Sequence, residues 1–275
     1  MTPAAVFVSP HPDDVALSCG GTVAAHVAAG GRAFIATVFS GIPDATRPLS
    51  NFARTLHRRW FGVELDASAA VRARRAEDAA AAAILRAEHR ALDHLDAIYR
   101  GTSSREELFR TPSSQDDELI QRIAKDLAQI RDETKANRFY LPLGFGLHID
   151  HVLCAKLAPL LEDLGSEVCF FEDFPYALRS TACPVGRSEL EPVAVDITAH
   201  IDQRLAAIRC YATQLESLFG WDDPTEAVLR FAGTVMADEP CRYGERLWRP
   251  RQGKSALRSA SPAMAPNANR SSGPF

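Results

Sequence analysis

The sequence predicts an α/β protein with a mostly parallel sheet flanked by helices, and three observations point there. AAVFVS at residues 4–9, RFYLPL at 138–143 and EVCFFE at 167–172 are short β-branched and aromatic runs, the signature of strands buried on both faces. Segments of helical period separate these runs, the alternation of a doubly wound sheet. Of 275 residues, 46% are hydrophobic and 24% charged, enough apolar material for a sizeable core and too little charge for a disordered chain. The expectation is a Rossmann-like α/β fold.

The first strand, 4–9, leads into a loop over 11–21 and a helix over 22–29, which Gly30-Gly31 stops. Residues 32–39 (RAFIATVF) form the second strand. Residues 40–65 contain Pro and Arg with weak periodicity and predict an irregular excursion beside the site. Residues 68–89 are Ala-rich with apolar positions at helical spacing, the strongest helix signal in the chain. A short strand over 95–99 and a helix over 115–134 precede the strand at 138–143. A loop over 144–150 and a helix over 151–164 lead to the strand at 167–172. Then come a strand over 191–197, a long amphipathic helix over 198–218, a helix over 224–237 and an edge strand over 245–248. From Pro250 the chain is rich in Pro, Ser and Asn, with Arg251, Lys254, Arg258 and Arg270 and no acid. This organisation predicts a single α/β domain over residues 1–249 and a disordered tail over 250–275.

Charge and composition exclude several function classes. With 31 Lys+Arg against 35 Asp+Glu the formal net charge is −4, so no nucleic-acid partner is expected. The tail holds basic residues only, which makes the rest of the chain more acidic than that figure. No apolar stretch approaches the ~18 residues of a membrane span, so stable membrane insertion is not expected. The N-terminus lacks a basic n-region, and six scattered cysteines form no C-x-x-C, so reduced core thiols and a cytoplasmic location are expected. A homo-oligomer is left open.

Two polar clusters stand immediately after strands, where an open α/β sheet places its ligand. The first is Ser9-Pro10-His11-Pro12-Asp13-Asp14 and the second is His148-Ile149-Asp150-His151. Alone, His-Pro-Asp-Asp reads as a turn, and Asp150-His151 as a helix start capped by Asp150. Together they offer imidazoles and carboxylates suited to zinc, with ionisable groups to spare. A catalytic zinc takes three protein ligands and keeps one position open, a need that two imidazoles and a carboxylate meet. One remaining group could take a proton from water, and another could stabilise an oxyanion or protonate a leaving group. An amide or ester carbonyl is the natural electrophile. His26, His57, His89, His94 and His200 lack clustered partners and read as ordinary histidines.

HPDD after the first strand with H-x-D-H after a later one resembles the PIG-L/LmbE family of zinc-dependent N-deacetylases. RRAE from Arg74, LDAIYR from Leu95, FEDFPYA from Phe171, QRLAAIRCYATQ in the long helix and ERLW from Glu245 extend the likeness over most of residues 1–249. The resemblance implies His11, Asp14 and His151 as ligands of one zinc per chain. It implies Asp13 as general base, His148 as oxyanion stabiliser or proton donor, and Asp150 as the group that orients or charge-stabilises that imidazole. Arg74 and Asp96 match positions that hold sugar hydroxyls. Val15 stands where many relatives have Glu, which bears on substrate positioning rather than on metal binding. SPHPDD, LSCGG and FEDFPYA look closer to bacterial members acting on secondary-metabolite or cell-surface glycans. The implied activity is removal of acetyl from an N-acetylated amino sugar or glycoconjugate, a small-molecule substrate. Two alternatives stand beside it: a zinc amidase acting on a larger acyl or thiol-conjugate amide, and a non-catalytic Rossmann-like sugar- or nucleotide-binding protein. Against the last, the chain has no G-x-G-x-x-G, Walker A or G-x-S-x-G motif.

Overall fold

The computed structural model describes residues 2–180, 182–220, 223–239 and 242–251. Within them one sheet has the order β3-β2-β1-β4-β5-β7-β6. Strands β1 (Ala5–Ser9), β2 (Ala33–Thr37), β3 (Glu88–Ala91), β4 (Arg138–Pro142) and β5 (Glu167–Phe171) run parallel. β7 (Gly244–Pro250) is antiparallel to both β5 and the edge strand β6 (Leu190–Asp196). Strand order reverses between β1 and β4, so a crevice opens at their carboxyl ends, where the loops after both strands meet.

The alternation along β1 sorts the core into two layers. Val6 and Val8 pack with Leu127 of α4 (Ser114–Thr134) and Leu153 of α5 (Ile149–Ala155). Ala5 and Phe7 face the other way, toward α1 (Asp14–Ala28), α3 (Ala67–Ile84) and α7 (Ile201–Ile208). Both layers bury β1 completely, which is why its sequence is apolar without alternation.

Several local expectations shift. The loop expected over 11–21 gives way to helix from Asp14, because Gly20 and Gly21 pack against other elements instead of forming a turn. The excursion over 40–65 contains a helix, α2 (Asn51–Phe61), started by Ser50, whose hydroxyl accepts from Ala53 N–H, and stopped by Gly62 at φ 69°. The helix expected over 68–89 ends at Ile84, and residues 88–91 extend as β3 on the edge of the sheet. Residues 97–99 form a 3₁₀ turn capped by Asp96, in place of the short strand expected over 95–99. The helix expected over 198–218 is two, α7 and α8 (Ala212–Phe219), parted near Tyr211, whose hydroxyl donates to buried Asp78 at 2.6 Å. Likewise α5 stops at Ala155 and α6 (Ala158–Asp163) follows. The strand expected on the edge at 245–248 lies inside the sheet as β7 and includes Pro250. The tail expected from 250 lies outside the described residues beyond Arg251.

Leu127 is fully buried in the α4 layer, in the later half of the helix that leads into the start of β4. Leu127→Ala should lower unfolding free energy by about 2–5 kcal/mol, read from the urea midpoint, because it leaves a cavity in close-packed apolar surroundings.

Candidate metal centre and active site

The loop after β1 is folded by its own polar groups. Ser9 Oγ donates to the His11 carbonyl at 2.7 Å and accepts from Val15 N–H at 3.2 Å, while His11 N–H donates to Asp14 Oδ2 at 2.8 Å. Asp13 caps α1 with φ 115°, ψ −35°, left-handed territory that strains a residue with a Cβ. Its carboxylate makes no capping bond and lines the cavity instead. Val15, the departure from the family pattern, packs its side chain into the α1 core layer and reaches the site loop only through its backbone N–H.

Two carboxylates fix the imidazoles. His11 Nε2 lies 2.9 Å from Asp150 Oδ2, and His151 Nδ1 lies 2.6 Å from Asp173 Oδ1. A carboxylate accepts, so each of these ring nitrogens carries a proton, and in the neutral ring the opposite nitrogen presents a lone pair. Those free nitrogens, His11 Nδ1 and His151 Nε2, each stand 3.4 Å from Asp14 Oδ2. His151 Nε2 is buried with no hydrogen-bond partner. Donor separations of about 3.4 Å are the edge lengths of a tetrahedral ion with bonds of about 2.1 Å.

The electrostatics favour positive charge at this point. Burial opposes protonation of His11, but the carboxylates of Asp96, Asp14 and Asp150 outweigh it and hold its pKa well above the usual value. Burial also opposes protonation of His151, and Asp14 and Asp173 raise it. Burial would raise Asp14, yet His151 and His11 bring it down to about 2, so it is a carboxylate at neutral pH. Asp13 is pushed up by burial and by the charge of Asp14.

Two donor sets lie close enough to share an ion: His11, His148 and His151, and His11, Asp96 and Asp150. The second is already satisfied, since Asp150 accepts from Arg100 at 2.5 Å, Ala97 N–H at 3.0 Å and the His11 ring. In the first, His148 Nδ1 accepts from Asp150 N–H at 3.3 Å, which leaves Nε2 to carry the proton of the neutral ring. Burial, then the neighbouring His11, keeps that ring well below its ordinary pKa. His148 is therefore a poor third donor, and Asp14, equidistant from the two free nitrogens, is the better one.

The structure brings all the residues singled out in the sequence together. His11, Asp13, Asp14, Arg74, Asp96 and His148 line a cavity of about 260 Å³, and His151 and Asp150 lie fully buried beneath it. One placement refines the expectation: the Asp150 carboxylate hydrogen-bonds His11, and it acts on His148 through its charge while its backbone N–H donates to that ring. Arg74 donates to the Pro12 carbonyl at 3.2 Å, lies 3.6 Å from Asp96 Oδ2 and 3.9 Å from Asp13 Oδ2, and stacks 4.8 Å over Trp60. Sequence reasoning assigned no role to Asp173 or Arg100, and it placed residues 40–65 beside the site without the helix α2. Asp173 follows β5 at the same end of the sheet, a signal that could have found it. The wall lies where expected, with Phe52, Leu56 and Trp60 on it, and only the caps at Ser50 and Gly62 could have announced that it is a helix. His57 ties that wall in place, its Nδ1 donating to the Leu65 carbonyl at 2.9 Å and its Nε2 accepting from the Tyr99 hydroxyl at 2.7 Å.

Known proteins share this arrangement of sequence. The PIG-L family, described as GlcNAc-PI de-N-acetylase, matches residues 6–160. A 2'-N-acetylparomamine deacetylase of Streptomyces fradiae is 30% identical over 269 residues, 89% of each chain. The structure of an A40926 pseudoaglycone deacetylase superposes with a TM-score of 0.77 at 27% identity, covering 93% of this chain and 98% of that one. The zinc-inhibited form of a teicoplanin deacetylase gives 0.74 at 26% identity, covering 91% and 100%. The family match takes in both loops that carry His11–Asp14 and His148–His151, and the chain belongs to the PIG-L family of N-deacetylases.

Proposed function

We propose that this enzyme is a zinc-dependent hydrolase that removes acetyl from the amide nitrogen of an N-acetylated amino sugar or glycoconjugate. The observation that carries the reading is Asp14 Oδ2 standing 3.4 Å from both His11 Nδ1 and His151 Nε2, the latter buried without a hydrogen-bond partner. One zinc held by His11, Asp14 and His151 supplies a Lewis acid that polarises a carbonyl and makes water acidic near neutral pH. Asp13, at the cavity edge of the same turn, takes the proton from the attacking water. His148 Nε2–H donates a hydrogen bond to the carbonyl oxygen as charge gathers there, and the proton that Asp13 took from water passes to the departing amine nitrogen. Asp150 and Asp173 hold the two ligand rings in the tautomers that leave Nδ1 and Nε2 free. Arg74 and Asp96, side by side on the cavity floor, hydrogen-bond sugar hydroxyls. The free cysteines among the described residues suit a reducing compartment, and we place the enzyme in the cytoplasm.

The apolar walls of the cavity, with Phe52, Leu56, Trp60, Phe109 and Leu218, favour a second reading in which the acyl group is longer than acetyl. Turnover of acetyl and longer-acyl glucosamine derivatives, compared as kcat/KM, decides between the two. Acetyl should lead; a preference for the longer chain by more than about tenfold, ~1.4 kcal/mol of transition-state binding, selects the second reading.

Asp13→Asn should retain one zinc per chain by metal analysis and lose about 10²–10⁴-fold in kcat; full activity with metal bound would remove Asp13 from the chemistry. Chelation should abolish turnover and zinc should restore it. Asp173→Asn should weaken zinc affinity about 10–100-fold in a chelator competition, because the His151 ring loses the partner that fixes it.

A further inference from the structure

α1 is two helices. Cys19 sits at φ −143°, ψ 24°, outside helical values, and the chain restarts at Gly20. In an unbroken helix Gly21 N–H would donate to the Leu17 carbonyl, four residues back. Here Gly21 N–H donates to Glu245 Oε1 at 2.9 Å, and the Leu17 carbonyl accepts from Arg204 Nη2. Glu245 Oε2 takes the next orphan donors, Thr22 N–H at 2.7 Å and Thr22 Oγ1 at 2.6 Å. Arg204 Nε and Glu245 Oε1 lie 3.2 Å apart, and the two residues are 0% and 3% exposed. An ion pair from α7 and β7 is thus inserted into one hydrogen bond of the helix, with each partner taking one half of it.

The packing at the break requires glycine at 21: a Cβ there would stand 2.7 Å from Ile197 Cδ1, whereas one on Gly20 would reach Arg204 Cγ at a contact distance of 3.4 Å. The half-helix ahead of the break, residues 14–18, begins with Asp14 and follows Asp13. Its other end is gripped as well: Ser18 Oγ accepts from Phe174 N–H at 3.1 Å, next to the Asp173 that holds His151. Where this short segment ends therefore decides where Asp14 Oδ2 stands relative to the His151 ring.

We propose that Arg204 and Glu245 are positioning residues for the Asp13–Asp14 turn. By terminating the first half-helix at Leu17, the pair sets Asp14 between the two imidazoles and Asp13 at the cavity edge. A buried pair costs desolvation that an apolar pair would not, and here the charges serve the register of the break. The kinetic consequence rests on the deacetylase mechanism proposed above; the consequence for ion binding does not.

The test compares Glu245→Gln, Arg204→Lys and the milder Thr22→Val with Leu127→Ala, which loosens the opposite layer. Zinc Kd is measured on the full chain by chelator competition, and kcat and KM on the best acetylated amino sugar. Glu245→Gln and Arg204→Lys should weaken zinc about tenfold or more and lower kcat about 10–100-fold with KM within about twofold, because small displacements of reacting groups are expensive. Thr22→Val should shift both in the same direction by a smaller factor. Leu127→Ala should keep Kd and kcat within about twofold despite its lower urea midpoint. Pair variants that behave like Leu127→Ala overturn the proposal. If Glu245→Gln and Arg204→Lys do not fold, an unchanged zinc Kd in Thr22→Val overturns it. A wild-type chain that hydrolyses none of the amides would sink the mechanism, while the Kd comparison would still decide the positioning role.

Discussion

Asp14 Oδ2 lies 3.4 Å from a ring nitrogen of His11 and from one of His151, and in the neutral rings neither nitrogen has a proton to offer it. Lone pairs set against a buried carboxylate oxygen at that distance are repelled by it, and positive charge, on the rings or on an ion, makes the arrangement favourable. Asp13, Asp96, Asp150 and Asp173 stand around the same point with Arg74 and Arg100 as the counter-charges. The site has been built with more negative charge than its own side chains neutralise, the condition under which a divalent ion is held tightly.

That concentration of charge has to be supported by rigid elements, and the sheet supplies them. β1 and β4 are adjacent parallel strands at the reversal of strand order, so the loops after them are forced into one crevice. β5, next in the sheet, adds Asp173 from the same end. Across the crevice α2 and α8 close an apolar wall over the polar floor, which lowers the local dielectric and strengthens the contacts beneath. Floor and wall are joined through His57 and Tyr99, whose hydroxyl lies near Asp96 and Arg74.

How legible each part is in the sequence depends on how far its cause lies along the chain. The strands at Ala5–Ser9, Arg138–Pro142 and Glu167–Phe171 are visible because burial on both faces demands uninterrupted apolar residues. The two loop clusters are visible because each packs several ionisable groups into a few positions after such a strand. Less legible are segments whose state is set by distant partners. Residues 14–21 read as a loop because Gly20-Gly21 is a turn signal, yet Glu245, more than two hundred residues on, caps the helix that restarts there. Residues 198–218 read as one helix, yet the Tyr211 hydroxyl is drawn to Asp78 and the helix divides. Residues 88–91 carry no strand pattern at all and extend only because the edge of β2 is open to them.

The sequence by itself determined the α/β class, the two site loops and the identities of the groups that could hold an ion and move a proton. These follow from short-range pattern, because burial and metal-ligand chemistry both restrict residue type position by position. The tertiary structure alone decided which nitrogen of each imidazole is free, since that depends on Asp150 and Asp173 reaching the opposite side of the ring. It also decided that the Asp150 carboxylate hydrogen-bonds the ring of His11, and that α1 is broken and clasped by Arg204 and Glu245. Hydrogen bonds between side chains far apart in sequence are directional and fixed only when the backbone elements carrying them are in place. No local pattern contains that information.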